Sequence, residues 1–276
     1  MIDDNVVVAT ARTINLHSLL RHINTSERKI WTAEDPVEIT QEGLRQVQIN
    51  VAQKLTFDRA MRAFLRADPD VIMVGEMRDE ETAGTAVEAS LTGHLVMGTL
   101  HTNSAPESII RLLDLGLDPF NFADALLGIL AQRLARTLCP DCRKPRPATA
   151  DEIKALIEEY CAELAGTEAF AKDPKAARKA VYEDWLQTFG GGKGLTIAER
   201  KGCEKCGGSG YRGRVGLHEL LIGSDNIKRL IQEHARVAQM LAAALDEGMR
   251  TLKQDGIEKV LQGITDIQQV RSVCIK

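Results

Sequence analysis

The chain alternates short apolar runs with stretches in which apolar residues recur every three or four positions. The runs VVVA at 6–9, KIWTA at Lys29–Ala33, VIMV at Val71–Val74 and LVMGTL at Leu95–Leu100 predict strands. The stretch LHSLL that follows the first run predicts the opening turns of a helix. Asp79 is placed to cap a helix through Ala83, Ala86 and Ala89, and Gly93 to end it. Ser104 precedes another, with Ile109, Ile110, Leu112 and Leu113 on its apolar stripe and Gly116 after it. Strands alternating with helices predict an α/β fold with a parallel sheet. The runs at 71–74 and 95–100 are nearly all apolar, which fits strands covered on both faces.

Three of these runs end in polar groups. The first leads into Glu34 and Asp35, with Glu38 after Pro36; the second into Gly75 and Glu76; the third into His101. Ligands of open α/β sheets bind at the carboxyl ends of the strands. Carboxylates there can hold Mg²⁺ through its waters or orient an attacking water. Gly75 permits close approach of a ligand beside Glu76. Each group alone also fits a strand that simply reaches water, and a lone His fits a hydrogen-bonded structural role. Arg59, Arg62 and Arg66, spaced by three and four, predict one face of a helix. That face is either a solvated basic stripe or a set of arginines that reaches a phosphate, including one on a neighbouring subunit.

The second half carries different chemistry. Cys139-Pro-Asp-Cys142 and Cys203-Glu-Lys-Cys206 supply four thiolates, enough for a closed tetrahedral zinc site. The glycine-rich GGSGYRGR after the second pair suits a turn around such a knuckle. A redox pair is the weaker alternative, because each CxxC has a ready partner. Between the pairs, Thr149 and Glu152 form a capping box, followed by Ile153, Leu156, Ile157, Tyr160 and Leu164 at helical spacing. Lys172–Leu186 predicts a second helix, and Gly190-Gly191-Gly192 a flexible return. After Arg214 the pattern predicts only helices. Ser224 caps one, Thr265 and Gln268 frame a second capping box, and Met240, Leu241, Leu245, Met249 and Leu252 form a core-facing stripe.

Composition narrows the classes. Hydrophobic residues make up 44 % of the 276, which suits a globular protein. No apolar run approaches the ~20 residues needed to cross a bilayer. Asp3 and Asp4 precede only a short apolar run, so no export signal is expected there. The net charge of −4, with bases and acids interspersed, argues against general nucleic-acid binding. Cys161 and Cys274 read as ordinary thiols.

The order of these motifs resembles one family, the type II secretion and type IV pilus assembly ATPases. The resemblance rests on WTAEDPVEI, LTFDRAMRAFLRADPDVIMVGEMRD, ASLTGHLVMGTLHTNSA, LLGILAQRLARTLCPDC and GCEKCGGSGYRGRVGLHELL, and with the final helices covers roughly residues 16–276. It implies a RecA-like P-loop NTPase core over 1–136, a zinc-binding module with a helical insertion over 137–216 and a helical region over 217–276. It implies a subunit of a homo-oligomer, a hexamer, in which ATP with Mg²⁺ drives pilin or pseudopilin assembly. That ring would sit at the cytoplasmic face of the inner membrane, held by platform proteins. By the same resemblance Glu76 is the Walker B carboxylate that orients water. Glu34, Asp35 and Glu38 form the Asp box on the magnesium side. His101 is the His-box residue near the terminal phosphate, with His94 a lesser member. Arg59, Arg62 and Arg66 stand near the nucleotide or a subunit interface, and Cys139, Cys142, Cys203 and Cys206 hold the metal.

One stretch departs from the family. A Walker A loop of the form GxxxxGK[ST] belongs before the LHSLL helix, yet residues 6–20 hold no glycine. Counting back by resemblance puts Arg12 and Thr13 in the Lys and Ser/Thr places, with Ala9 and Ala11 near the glycines. Glycines let backbone N–H groups close on phosphate, and the Lys and hydroxyl reach the terminal phosphates and Mg²⁺. Arg12 keeps the charge in a bulkier planar form and Thr13 keeps the hydroxyl. Alanine in a left-handed backbone costs about 1 kcal/mol or more. Two readings follow: a secretion or pilus motor ATPase with a degenerate phosphate loop, or an inactive relative or truncated fragment acting as a structural or regulatory ring subunit.

Overall fold

A computed structural model describes residues 6–9 and 13–274. In chain order the elements are β1 (Val6–Ala9), α1 (Thr13–Ile23), β2 (Ile30–Glu34), β3 (Arg45–Gln48), α2 (Phe57–Leu65), β4 (Val71–Val74), α3 (Glu80–Leu91), β5 (Leu95–Thr99), α4 (Ala105–Asp114), α5 (Pro119–Ala125) and β6 (Leu126–Leu138). There follow β7 (Lys144–Pro147), α6 (Ala150–Ala162), α7 (Glu168–Lys172), α8 (Pro174–Phe189), β8 (Thr196–Glu199), β9 (Tyr211–Ile222), α9 (Asp225–Gln232), α10 (Val237–Asp246), α11 (Leu252–Leu261) and α12 (Ile267–Val273). The described residues form two compact units, one from those up to 131 with 220–240, the other from 132–219 with those from 241 on.

The main sheet runs β3-β2-β4-β5-β1-β6-β9. The pairs β3–β2, β2–β4, β4–β5, β5–β1 and β1–β6 are all parallel. In the first unit every residue of β4 and β5 is buried, as their unbroken apolar runs require. Leu16 and Leu20 of α1 pack on Ile30, Val71, Met73, Leu95 and Met97. Trp31 stacks on Phe64 of α2 with ring centroids 5.0 Å apart. The predicted stops and starts hold. Asp79 accepts from the Thr82 N–H and Ser104 from the Glu107 N–H. Gly93 and Gly116, at φ 102° and 101°, close α3 and α4 in a conformation that disfavours a side chain.

The second unit has its own core of Leu156, Tyr160, Trp185, Leu195, Ile257 and Leu261. Tyr160 meets Trp185 edge-on at 5.2 Å. The capping box of Thr149 and Glu152 forms, and Arg146 grips both Glu152 and Glu199 at 2.8 Å.

The helix expected over Lys172–Leu186 forms as α8, which begins two residues later because Asp173 takes the N–H groups of Lys175 and Ala176 at 3.0 Å and Pro174 opens it. Two expectations change. The chain after Arg214 is not all helical. It stays in β9 to Ile222, with Leu217, Glu219 and Leu221 buried in alternation. The cap of α12 is Asp266, which accepts from the Gln269 N–H, while Thr265 donates instead to the Arg136 carbonyl. The stripe from Met240 to Leu252 does face the core, with Met240, Leu245, Met249 and Leu252 buried, and runs from α10 into α11 past Gly248 at φ 99°.

Two predictions follow from this packing. Trp185→Ala should cost about 3–5 kcal/mol in urea unfolding, since it removes the largest fully buried side chain and its Tyr160 contact. Arg146, helped by the Thr149 N–H, holds the Glu152 carboxyl down to about 2 from an ordinary 4.5. A depressed carboxyl stabilises the fold above its unfolded pKa and loses that contribution as pH falls through the folded one. Between about pH 4.5 and 2, stability should therefore fall more steeply in the parent chain than in Glu152→Gln, read from pH-dependent unfolding midpoints.

Candidate functional site

Because β2, β4 and β5 are parallel neighbours, their carboxyl ends lie side by side. The Gly75 N–H donates to the Ala33 carbonyl at 2.7 Å and the Met77 N–H to the Thr99 carbonyl at 3.0 Å. The Thr99 hydroxyl donates to the Gly75 carbonyl. These bonds lock the three strand ends into one rim. A cavity of about 240 Å³ opens there, lined among others by Asp35, Glu38, Gly75, Glu76, Arg78 and His101. A Cβ at Gly75 would stand 3.0 Å from the Ala33 carbonyl oxygen and 3.2 Å from the Glu34 Cα, so the rim is built for glycine there.

Glu76 is the hub of the cavity, 17 % exposed. Its Oε2 takes Arg78 at 2.5 Å, and its Oε1 stands 3.2 Å from Nε2 of His101, which is 83 % exposed. Glu76 in turn raises the Arg78 guanidinium further above its ordinary range, through the hydrogen bond first and its charge second. Asp35 and Glu38 are exposed on the same wall. The arrangement offers carboxylates for a cation and its waters, and two cationic or hydrogen-bonding groups for an anion. Arg78 was not among the sequence candidates, although it stands two residues after Glu76 in a segment already singled out.

Glu34 also borders this cavity, but its side chain is placed differently. Its carboxylate is 1 % exposed and turned away from solvent. Thr32 Oγ1 donates to Oε1 at 2.6 Å, Gln46 Nε2 donates to Oε1 at 2.9 Å, and His17 Nε2 meets Oε2 at 2.9 Å. Three partners thus satisfy a buried carboxyl group whose burial would otherwise be costly. No sequence signal pointed to His17 or Gln46, which are 17 and 12 residues from Glu34.

The structure does not bring His94, Arg59, Arg62 or Arg66 to this cavity. His94 precedes β5, at the opposite end of the strand from His101, where its Nδ1 meets the Ala89 carbonyl at 2.9 Å. Arg62 bonds Asp58 at 2.9 Å and Glu81 at 2.8 Å, and lines a separate acidic cleft with Asp79, Glu80 and Glu88. Arg59 donates to the Lys54 carbonyl at 3.0 Å, and Arg66 is exposed just after α2. Thr13 opens α1, and Arg12 lies outside the described residues.

In the second unit the four cysteine sulfurs gather within 4.8 Å of one another. Cys139 to Cys203 and Cys142 to Cys206 measure 4.0 Å, and Cys203 to Cys206 3.8 Å. Four thiolates around one Zn²⁺ at ~2.3 Å stand about 3.8 Å apart, so the cluster fits a tetrahedral ion. N–H groups of Gly202, Cys203 and Gly210 point at the sulfurs of Cys142 and Cys206 at 3.1–3.3 Å. Those of Cys203 and Gly210 bring the Cys206 thiol down to about 6, whereas desolvation pushes Cys142 up to about 11. Gly202, at φ 107°, is needed here, because a Cβ would lie 2.5 Å from the Gly208 carbonyl oxygen.

Residues 9–272 match the family described as "Type II/IV secretion system protein". "Type II secretion system protein E" of Dickeya dadantii (strain 3937) is 42 % identical over 261 residues, which is 95 % of this chain and 46 % of that protein. "Type IV pilus assembly ATPase PilB" of Thermus thermophilus is 42 % identical over 264 residues, 95 % of this chain and 26 % of that one. The chain thus spans less than half the length of these relatives. Among solved structures, that of the pilus retraction motor PilT with bound ADP superposes with a TM-score of 0.61 at 26 % identity, covering 97 % of this chain and 60 % of PilT. No described helix is long and apolar enough to cross a membrane. With the match running almost from end to end, the chain belongs to the type II/IV secretion system protein family.

Proposed function

We propose that this chain is an ATP-driven motor subunit of the type II secretion or type IV pilus assembly kind. The observation that carries the reading is the meeting of Asp35, Glu38, Glu76 and His101 at neighbouring parallel strand ends around one cavity. When bound, Mg·ATP supplies the phosphoryl group whose transfer to water releases energy. Glu76, half-sheltered and aimed into the cavity, orients the attacking water. Asp35 and Glu38 hold waters of the magnesium ion. His101 and Arg78, both within reach of Glu76, offset charge at the terminal phosphate. Thr13, at the start of α1, and Arg12 serve the phosphates from the β1–α1 side. Arg59, Arg62 and Arg66 are exposed outside the cavity, which suits contacts to a neighbouring copy's nucleotide in a hexameric ring. The ring works at the cytoplasmic face of the inner membrane through platform proteins. The four cysteines hold a structural zinc ion, with no open position for chemistry.

A second reading, a ring subunit without turnover, is favoured by one observation, the lack of any glycine in residues 6–20. Calorimetric titration with Mg·ATP separates the two. Micromolar binding by the parent chain supports the motor. Binding that appears only after a glycine-rich loop is restored supports the second reading.

Two outcomes are expected of variants. Glu76→Gln should lower phosphate release by about 10²-fold or more while leaving Mg·ATP affinity within a few-fold, because it removes the water-orienting charge and little of the binding surface. Equal turnover in the variant would overturn the assignment. One zinc ion per chain should be found by elemental analysis, and Cys203→Ser should lose it together with the thermal transition of the second unit.

A further inference from the structure

The buried contacts of Glu34 define more than a structural ion pair. Gln41 Nε2 stands 2.9 Å from the His17 carbonyl oxygen, which can only accept, so the amide nitrogen faces it as a donor. The same nitrogen lies 2.9 Å from His17 Nδ1, which must then accept. His17 is therefore protonated on Nε2, and that N–H donates to Glu34 Oε2. On the other side Gln46 Nε2 is oriented by the Ile39 carbonyl and donates to Glu34 Oε1, both at 2.9 Å. Two backbone carbonyls thus fix two amides, and through them a ring and a carboxylate. The imidazole is 2 % exposed and belongs to α1, the helix that begins at Thr13. The carboxylate belongs to β2, whose end carries Asp35 into the cavity.

We infer that His17 is a positioning residue of the nucleotide site. As the neutral Nε2–H tautomer it clamps α1 to the acidic end of β2, through Glu34. Glu34 then serves as the bracket of the site, and Asp35, Glu38 and Glu76 as its cavity-facing acids. A clamp at this point sets the distance between the phosphate side of the site, at the head of α1, and the magnesium side, at the end of β2. This rests on the reading of the strand-end cavity as a nucleotide site. The geometry asks for a donor at the Nε2 position, not for a positive charge. Glutamine, whose Nε2 reaches about as far, should replace histidine. Leucine should not.

The test uses the full chain labelled with ¹⁵N-histidine, in which six rings report and His17 is assigned by its loss in His17→Gln. Long-range ¹H–¹⁵N spectra at pH 8 should show His17 as the Nε2–H tautomer. An Nδ1–H tautomer in the parent chain overturns the clamp. Calorimetry with Mg·ADP should then give an affinity at least tenfold lower for His17→Leu and within threefold of the parent for His17→Gln. Equal losses in both variants, or none in either, overturn the positioning role, since a residue that only fills space would not be rescued by the donor. A parent chain with the expected tautomer but no Mg·ADP binding overturns the nucleotide reading, and the positioning role with it, leaving the clamp as structure.

Discussion

A strand that is apolar on both faces can be satisfied only inside a covered sheet, and the first unit is organised around two of them. β4 and β5 present no polar side to water, so α1, α2 and α3 must lie over them and the chain must return across the sheet between strands. That return makes the strands parallel. Parallel strands bring their carboxyl ends to one edge, and the residues just past the apolar runs meet there: Asp35 and Glu38 from one, Glu76 from the next, His101 from the third. The cavity thus results from burial. Its acids are near one another because the valines, isoleucines and methionines before them cannot be exposed.

The two units reach order by different means. The first relies on the sheet and its covering helices. The second pairs a modest aromatic core around Trp185 with four cysteines whose sulfurs stand at the spacing a tetrahedral ion demands. Its knuckle bends too tightly for side chains at Gly202 and carries N–H groups directed at sulfur, which stabilise thiolates whatever their partner. A short glycine-rich knuckle has little apolar surface to bury, so packing alone contributes little there.

How much of this could be read from the residues depended on whether a local signal existed. β4 matches its apolar run residue for residue, and the capping residues Asp79, Ser104, Thr149 and Ser224 are used as their spacing suggests. β3, with the sequence RQVQ, carries no apolar run, because it is an edge strand half open to water. β9 was hidden by Glu219, a buried acid at an inward position, whose carboxylate is met by the Leu252 N–H at 3.3 Å. The strand-end acids were legible from their place after apolar runs. The Glu34–His17 contact was not, since nothing local in LHSLL distinguishes a buried, bonded imidazole from one in solvent. His94 shows the converse: it shares a segment with His101, but five residues of extended chain carry the two to opposite ends of β5.

The same separation of scaffold from chemistry explains why a departure at residues 6–20 leaves the fold intact. β1 is held by its register, Val6 to Val96 and on to Ala9 against Thr99 on one side, with β6 on the other. α1 is held by Leu16 and Leu20 in the core and by His17 on Glu34. None of these contacts needs a glycine or a lysine between strand and helix. β1 and α1 are therefore placed by their own contacts. That is why a chain with this sheet, these acids and this helix can belong to the family although residues 6–20 hold no glycine.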